Sequence, residues 1–414
     1  MNTTHAEAAG NRLVAAGLTA TTILWLTAGL SMLQPLSTDL YLSTLPGIAE
    51  YFSASVASVQ STLWMFIAAF GLWQLIAGPV SDRFGRYPVV VAGALTYCVA
   101  SVIAMLAASL DVLVLARVLQ AVGACTCLVG ARGFVRDLYS PTEGARMLAN
   151  AATIMSLAPL IGPLLGAVLY VRFGWRSSFA LLTAFSLLLS IFAAFKFRET
   201  NVRRNPAALS LAPMFRTYAA IAHSRAFRAY ALSAAATYAC LFAFLSGSSF
   251  VLIGVLGQTP TRFALTFVSM VAGYLVGTVI CRRLLATQGI QRTVCAGATL
   301  QAAAGIVMAA LALGGVHLPI AIGVPMFFIG ASHGIIQPPV QSGAVAPFPH
   351  AAGAAAAMLG FTMMLVAAGI GIWIGVSYNA TVYPLTLTIC ACGLASAAIA
   401  FTWVRKDGDI SIHG

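Results

Sequence analysis

The sequence predicts an all-α membrane protein, with twelve transmembrane helices in two pseudo-symmetric six-helix bundles. Three observations carry that prediction. Charged residues make up 8% of the 414 and apolar residues 60%, whereas a soluble domain carries about 25% charge. Twelve apolar segments follow one another, each long enough to cross the hydrocarbon layer as a helix that satisfies its own backbone hydrogen bonds. The basic residues fall almost wholly into the connections on one side.

The segments lie near 15–45, 56–80, 88–108, 112–135, 147–171, 175–196, 228–252, 263–281, 293–313, 318–340, 352–377 and 381–403. No alternating strand pattern occurs, which argues against a barrel. The first segment follows a weakly charged start and reads as a retained span rather than a cleaved leader. The longest polar stretch separates six spans from six. It divides the chain into a first bundle (1–197), a linker (198–226) and a second bundle (227–414). Gly78-Pro-Val-Ser-Asp-Arg83 is echoed at the equivalent place in the second half by Gly277-Thr-Val-Ile-Cys-Arg282.

Orientation follows from the 22 basic residues. Arg12, Arg83, Arg86, Arg132, Arg136, Arg146, the seven from Lys196 to Arg228, Arg282, Arg283, Arg292, Arg405 and Lys406 share one side. Only Arg172, Arg176 and Arg262 lie on the other. The bias puts both termini in the cytoplasm. A net charge of +12 would suggest nucleic acid in a soluble protein; its one-sided placement suggests a lipid bilayer instead, and no nucleic-acid partner is expected.

Eight cysteines sit in or beside apolar stretches and read as small packing residues. Cys125 and Cys127 are too close in sequence to share a helix face, so neither a metal site nor a disulfide is expected.

Nine of the ten acidic residues fit termini, loops or helix ends. Asp39 alone lies within a span, toward its outer end. A carboxylate there is costly and faces a cavity or a partner. Asp39 is therefore the candidate for proton coupling and for recognising a cation; the alternative is a solvated helix end. Arg117 is the basic residue deep in a span, with Gln120 on the same face. It is either a functional partner of Asp39 across a cavity or a structural arginine bonded to backbone carbonyls.

Gly78, Asp82, Arg83, Gly85 and Arg86 close the second span. The glycines suit a tight turn and close helix approach, and Asp82 suits capping or pairing with Arg136. This group reads as a conformational latch. Pro159, Gly162, Pro163 and Gly166 predict a bent fifth helix, either at a moving interface or in simple kinked packing. In the second half His333 and Gln337 mark the tenth span, and Tyr238, Phe242 and Phe244 in the seventh are either an aromatic wall or ordinary helix packing. His333 is either a titrating group or a packing contact.

Together these segments resemble the major facilitator superfamily. More narrowly, they are similar to its twelve-span drug:proton antiporters of the Bcr/CflA (bicyclomycin and chloramphenicol resistance) branch. Gly78 to Arg86 matches the loop signature between spans two and three, with Tyr87 at a usual basic position. Arg117-Val-Leu-Gln120-Ala-Val-Gly123 matches the fourth-span signature, with Ala121 at a usual glycine. Pro159 to Gly166 matches the antiporter signature of span five. Asp39-Leu-Tyr41-Leu-Ser-Thr-Leu-Pro46 matches the first-span motif, with Ser43 at a usual proline. Phe244 to Val251 and Ala346 to Gly353 also match.

The resemblance implies two bundles around a central cavity, lined by Asp39, Tyr41, Gln60, Arg117, Gln120, Tyr238, Phe242, His333 and Gln337. It implies alternating access in a bacterial inner membrane, driven by the proton gradient with no other cofactor. It carries Asp39 over as the coupling acid and Arg117 as its companion. The expected partners are drugs or metabolites, protons and lipid, and the expected state is a monomer. The competing readings are export of one metabolite, such as an amino acid or nucleoside, and proton-coupled uptake. An enzyme is disfavoured, because no His-Glu-x-x-His, no phosphate loop and no intramembrane acid pair is present. A channel is disfavoured by the absence of repeated charge rings.

Overall fold

The computed structural model describes residues 18–201 and 204–408; Glu7, Arg12, Arg203 and Asp409 lie outside them. Helix α1 spans Ala20–Asp39 and opens on Thr19, whose hydroxyl accepts from the Thr22 amide. Then come α2 (Val56–Phe84), α3 (Arg86–Met105), α4 (Leu110–Leu138), α5 (Pro141–Met155 and Leu157–Phe173) and α6 (Arg176–Lys196). In the second half, α7 (Arg225–Ser249) runs on through a π-helical turn at Phe250–Val255. Next is the long helical stretch Pro260–Leu313. Finally come α10 (Pro319–Val345), α11 (Ala352–Ser377) and α12 (Tyr383–Ile399, continued to Val404).

Among the described residues, ten helical stretches are long and apolar enough to cross a membrane. One of them, Pro260–Leu313, has 54 residues and would measure about 80 Å if straight, far beyond one bilayer crossing. Gly289, at φ 76° and ψ 180°, breaks it. The legs 260–288 and 290–313 are α8 and α9. Helix α1 has 20 residues, enough for one crossing. Counting α1 and the two legs separately gives twelve crossings. The apolar segments are wider in the structure than the sequence spacing predicts, because helices continue into the polar ends.

Two local expectations change. The predicted first span, 15–45, is not one helix: α1 stops at Asp39, a 3-10 turn follows at Leu42–Thr44, and Leu45–Tyr51 forms a separate short helix. Pro46 suits the first turn of that new helix, where its missing N–H costs nothing. Asp39 is thus the last helical residue of α1, and it is buried. The bend of α5 falls at Ser156, before the Pro-Gly segment. Pro159 cannot donate to the Met155 carbonyl, and its ring crowds that carbonyl.

The bundles are built by close helix contact. In the second bundle, methyl groups at Gly273, Gly277, Gly330 or Gly334 would collide with the backbone of the facing helix, so α8 and α10 meet along two Gly-x-x-x-Gly faces. In the first, Gly93 of α3 and Gly123 of α4 play the same part. The bundles join along α2 and α11, where Gly371 abuts Trp64 and Gly375 abuts Ala57. They also join along α5 and α8. Large apolar side chains such as Leu95, Leu188 and Trp373 stay exposed on the outside, as a surface solvated by lipid requires.

Between α6 and α7 the polar stretch folds into a 3-10 turn (Pro206–Leu209) and an amphipathic helix (Leu211–His223). The Tyr218 hydroxyl donates to the Leu75 carbonyl at 2.6 Å, which ties this helix to α2.

Candidate functional site

The basic loops define one end of the molecule. At the opposite end the bundles touch: the turn Leu42–Thr44 meets α7 and α8, and the helix Leu45–Tyr51 meets Phe250–Val255. The half of α5 nearer that end, Leu157–Phe173, packs on α8, whereas Pro141–Met155 packs on α1 and α4. Along α5 and α8 the bundles therefore close at one end and part toward the basic end. Of the nine expected cavity residues, eight are buried and Tyr238 is half-buried.

Asp39 lies where α1, α5 and α7 converge. The Thr38 hydroxyl donates to its Oδ1 at 3.0 Å. A methyl group at Gly162 would lie 3.3 Å from its Cβ, and one at Gly166 would strike the Leu40 carbonyl oxygen. The glycines of α5 are thus the surface on which the Asp39 turn rests. Across the seam, Asp39 is within electrostatic reach of Tyr238 on α7.

Arg117 and Gln120 sit inside the first bundle. The Arg117 Nε donates to the Thr62 carbonyl at 3.2 Å and Nη1 donates to Gln120 Oε1 at 2.8 Å. The guanidinium stacks between the rings of Tyr41 (4.6 Å) and Phe66 (4.2 Å). Gln120 donates on to Ser101, and Ser101 to the Tyr97 carbonyl. The Tyr97 hydroxyl bonds to Ser37 on α1, and the Tyr41 hydroxyl to Thr62 at 3.0 Å. Asp39 and Arg117 form no ion pair; Tyr41, two residues from Asp39, connects them. The spine Ser37–Tyr97–Ser101–Gln120–Arg117–Thr62–Tyr41 contains four residues outside the expected site: Ser37, Tyr97, Ser101 and Thr62. Ordinary Ser, Thr and Tyr residues in apolar spans give no signal of their own.

In the second bundle, the Thr237 hydroxyl and His333 Nδ1 are 3.3 Å apart, and the His333 ring lies near Tyr238 (6.2 Å) and Tyr274 (5.8 Å). Tyr238 stacks on Phe242 at 6.3 Å. Gln337 Nε2 reaches only the Met363 sulfur, at 3.7 Å. Gln60 joins the bundles by accepting from the Ser246 hydroxyl at 2.6 Å.

At the basic end, Arg86 is the hub. It binds Asp82 (2.7 Å) and Asp137 (2.9 Å), and donates to the Ser81 hydroxyl. Its amide donates to Glu199 at 3.0 Å, and the Thr200 hydroxyl donates to Asp137. The expected Asp82–Arg136 pair is long, 3.9 Å, and exposed. Arg83 turns away over the Phe84 ring. Gly85 has φ 106° and supplies the tight turn. Gly78 does not serve close approach, because a methyl group there meets nothing within 4 Å. Tyr87, at the usual basic position, donates to the Ala194 carbonyl of α6. Asp137 comes from the last turn of α4 and Glu199 from the connection after α6, which explains why the local motif did not reveal them.

The model of the Major Facilitator Superfamily matches residues 27–372. A chloramphenicol resistance protein of Pseudomonas aeruginosa is 28% identical over 372 residues, 88% of this chain and 87% of the relative. A bicyclomycin resistance protein homolog of Haemophilus influenzae is 27% identical over 369 residues, 88% of this chain and 92% of the relative. The xylose transporter XylE from E. coli, in a partially occluded inward-open conformation, superposes with a TM-score of 0.71 at 15% identity. That match covers 93% of this chain and 98% of the other. A bacterial homolog of the lysosomal transporter Spinster, inward-facing and occupied, gives 0.70 at 15% identity over 93% and 97%. With a family match over most of the chain and twelve crossings in two bundles, this multi-pass membrane protein belongs to the Major Facilitator Superfamily.

Proposed function

We propose that the chain exports small molecules, drugs among them, in exchange for protons by alternating access. The basic end faces the cytoplasm of a bacterial inner membrane, so the present conformation opens inward. The chain acts as a monomer, assigns no residue to catalysis, and uses the proton gradient in place of a cofactor.

The observation that carries this reading is the position of Asp39. Among the described residues it is the one acid that is buried, at the seam of the bundles between the Gly162–Gly166 face of α5 and Tyr238 of α7. An ionised carboxylate in such a place is costly, so its charge state biases how the bundles sit. Protonation from the outer side removes the charge and permits the inward-open arrangement. Deprotonation toward the cytoplasm restores the charge, and binding of substrate replaces the lost proton. The names of the relatives, resistance proteins for chloramphenicol and bicyclomycin, support drugs as cargo.

The test uses everted vesicles carrying the chain, with a fluorescent dye reporting the internal proton concentration. Adding chloramphenicol after energisation is expected to release protons, and Asp39→Asn is expected to abolish that release. Proton release that persists in Asp39→Asn would sink the assignment of Asp39.

A further inference from the structure

The outer halves of α8 and α10 leave a groove of about 640 Å³ between them, within the range of about 300–1,000 Å³ that holds small ligands. Leu265 on one side and Ile320, Val324 and Phe328 on the other line it, all exposed. The opposite faces of the same helices, with Phe263 and Phe267 on α8 and Met326 and Ile329 on α10, are buried. The groove therefore opens away from the core, on the surface that lipid solvates. It is built into the backbone. Gly323 has no side chain to fill it, and a methyl group there would lie 3.2 Å from Thr266 Cγ2. Deeper in the span, Gly273 and Gly330 hold the two helices in backbone contact, so the walls are fixed before any ligand arrives.

Its length and its charge name the occupant. From Ile320 to Phe328 the groove follows α10 for roughly 12 Å along the helix axis. The hydrocarbon core is about 30 Å thick, so the groove runs to the depth of one leaflet's chains. The hydroxyls of Thr266 and Ser269 turn back onto carbonyls of their own helix, at 3.2 and 2.7 Å. The walls therefore present mainly hydrocarbon, and no acid lines them. At the head of the groove stands Arg262, one turn outward of Leu265 and Thr266 on the same face of α8, and exposed. Its amide donates to the Thr259 hydroxyl. Among the described residues, no hydrogen bond or ion pair engages its guanidinium. A guanidinium fork matches phosphate oxygens, and the long stem lets it reach the headgroup level.

We infer that this groove is a phospholipid site: one acyl chain of an outer-leaflet phospholipid lies between Leu265 and Val324, and Arg262 binds its phosphate. The site stands outside the path between the bundles and is independent of the direction of transport; only the choice of leaflet follows from the orientation. Because α8 also packs on α5 across the bundle seam, the lipid rests against a helix of that seam.

The experiment incubates the purified full chain, in neutral detergent, with phosphatidylglycerol carrying a photoreactive diazirine in one acyl chain, and maps the labelled residues by peptide mass. Labelling is expected to concentrate at Leu265, Ile320 and Val324 over Leu95 and Leu188, exposed apolar residues outside the groove. Unlabelled phosphatidylglycerol is expected to compete about tenfold better than diacylglycerol with the same chains, the worth of one hydrogen bond to a charged group. Arg262→Gln is expected to bring the two competitors level. Gly323→Leu fills the groove and is expected to remove its labelling while Leu188 stays labelled, which certifies the fold. Arg262→Gln changes an exposed side chain and decides the phosphate contact even where Gly323→Leu does not fold. Labelling of the groove no stronger than that of Leu188 would make the lipid mere solvent and sink the proposal. Equal competition by the two lipids in the wild type, or displacement of the label by chloramphenicol as readily as by phosphatidylglycerol, would also overturn it.

Discussion

Gly162 faces Asp39: a methyl group added at Gly162 would lie 3.3 Å from the Asp39 Cβ. Four residues on, Gly166 leaves no room at all, because its methyl group would overlap the Leu40 carbonyl oxygen. The antiporter-like segment of α5 is therefore fitted to the turn that carries the buried acid Asp39.

The two glycines predict different outcomes. Gly166→Ala is expected to lower stability by about 1–3 kcal/mol, the usual cost of overpacking, and to abolish drug resistance. Gly162→Ala needs a shift of a few tenths of an ångström and is expected to keep the fold while slowing transport. Thermal unfolding in detergent and growth on chloramphenicol measure both.

Asp39→Asn keeps the shape and removes the charge. Substrate binding is expected to persist, while the pH dependence of binding flattens, since no proton is exchanged at that position. Titrating chloramphenicol across pH 5–9 checks this; a profile identical to the wild type would remove Asp39 from coupling.

Arg117→Lys tests the stacking of the guanidinium between Tyr41 and Phe66. A point-charge ammonium cannot reproduce a planar fork that bonds both Thr62 and Gln120. Transport is expected to fall at least tenfold at unchanged expression. Near-normal transport would mean that charge alone suffices there.

Arg86→Ala leaves Asp137 without its main partner. Arg86 is 5% exposed and Asp137 19%, while Asp82 is 43% exposed. The Asp82 pair is screened by water and contributes little. Breaking the Asp137 pair is expected to cost about 3 kcal/mol. A drop in melting temperature accompanied by faster proteolysis of the linker, which Glu199 and Thr200 anchor, is the expected signature.

Ser246→Ala removes the hydroxyl that donates to Gln60 across the bundles. The loss of one hydrogen bond, about 1 kcal/mol, is expected to raise the outward-open population roughly fivefold. Alkylation of a cysteine placed at Tyr51, at the outer end, reads that population.

The spans were legible because lipid enforces a run of apolar residues and because arginine placement is one-sided. Asp39 was legible because a lone acid in an apolar span has no background against which to hide. The Arg86 hub was legible only in part: Asp82 is four residues away, but Asp137 lies in the last turn of α4 and Glu199 in the connection after α6. The break at Ser156 was displaced from the prolines that cause it, since Pro159 acts on the carbonyl four residues earlier. The eighth and ninth spans looked like helices joined by a loop, whereas the chain turns on Gly289 alone.

The interlocked glycine faces of α8 and α10 leave no slack between those helices. That pair is an internal ruler. Spin labels on α8 and α10 are expected to report one fixed distance throughout the transport cycle, and labels on α5 and α8 a changing one. The ratio of the two separates true rocking of a bundle from loosening of its helices.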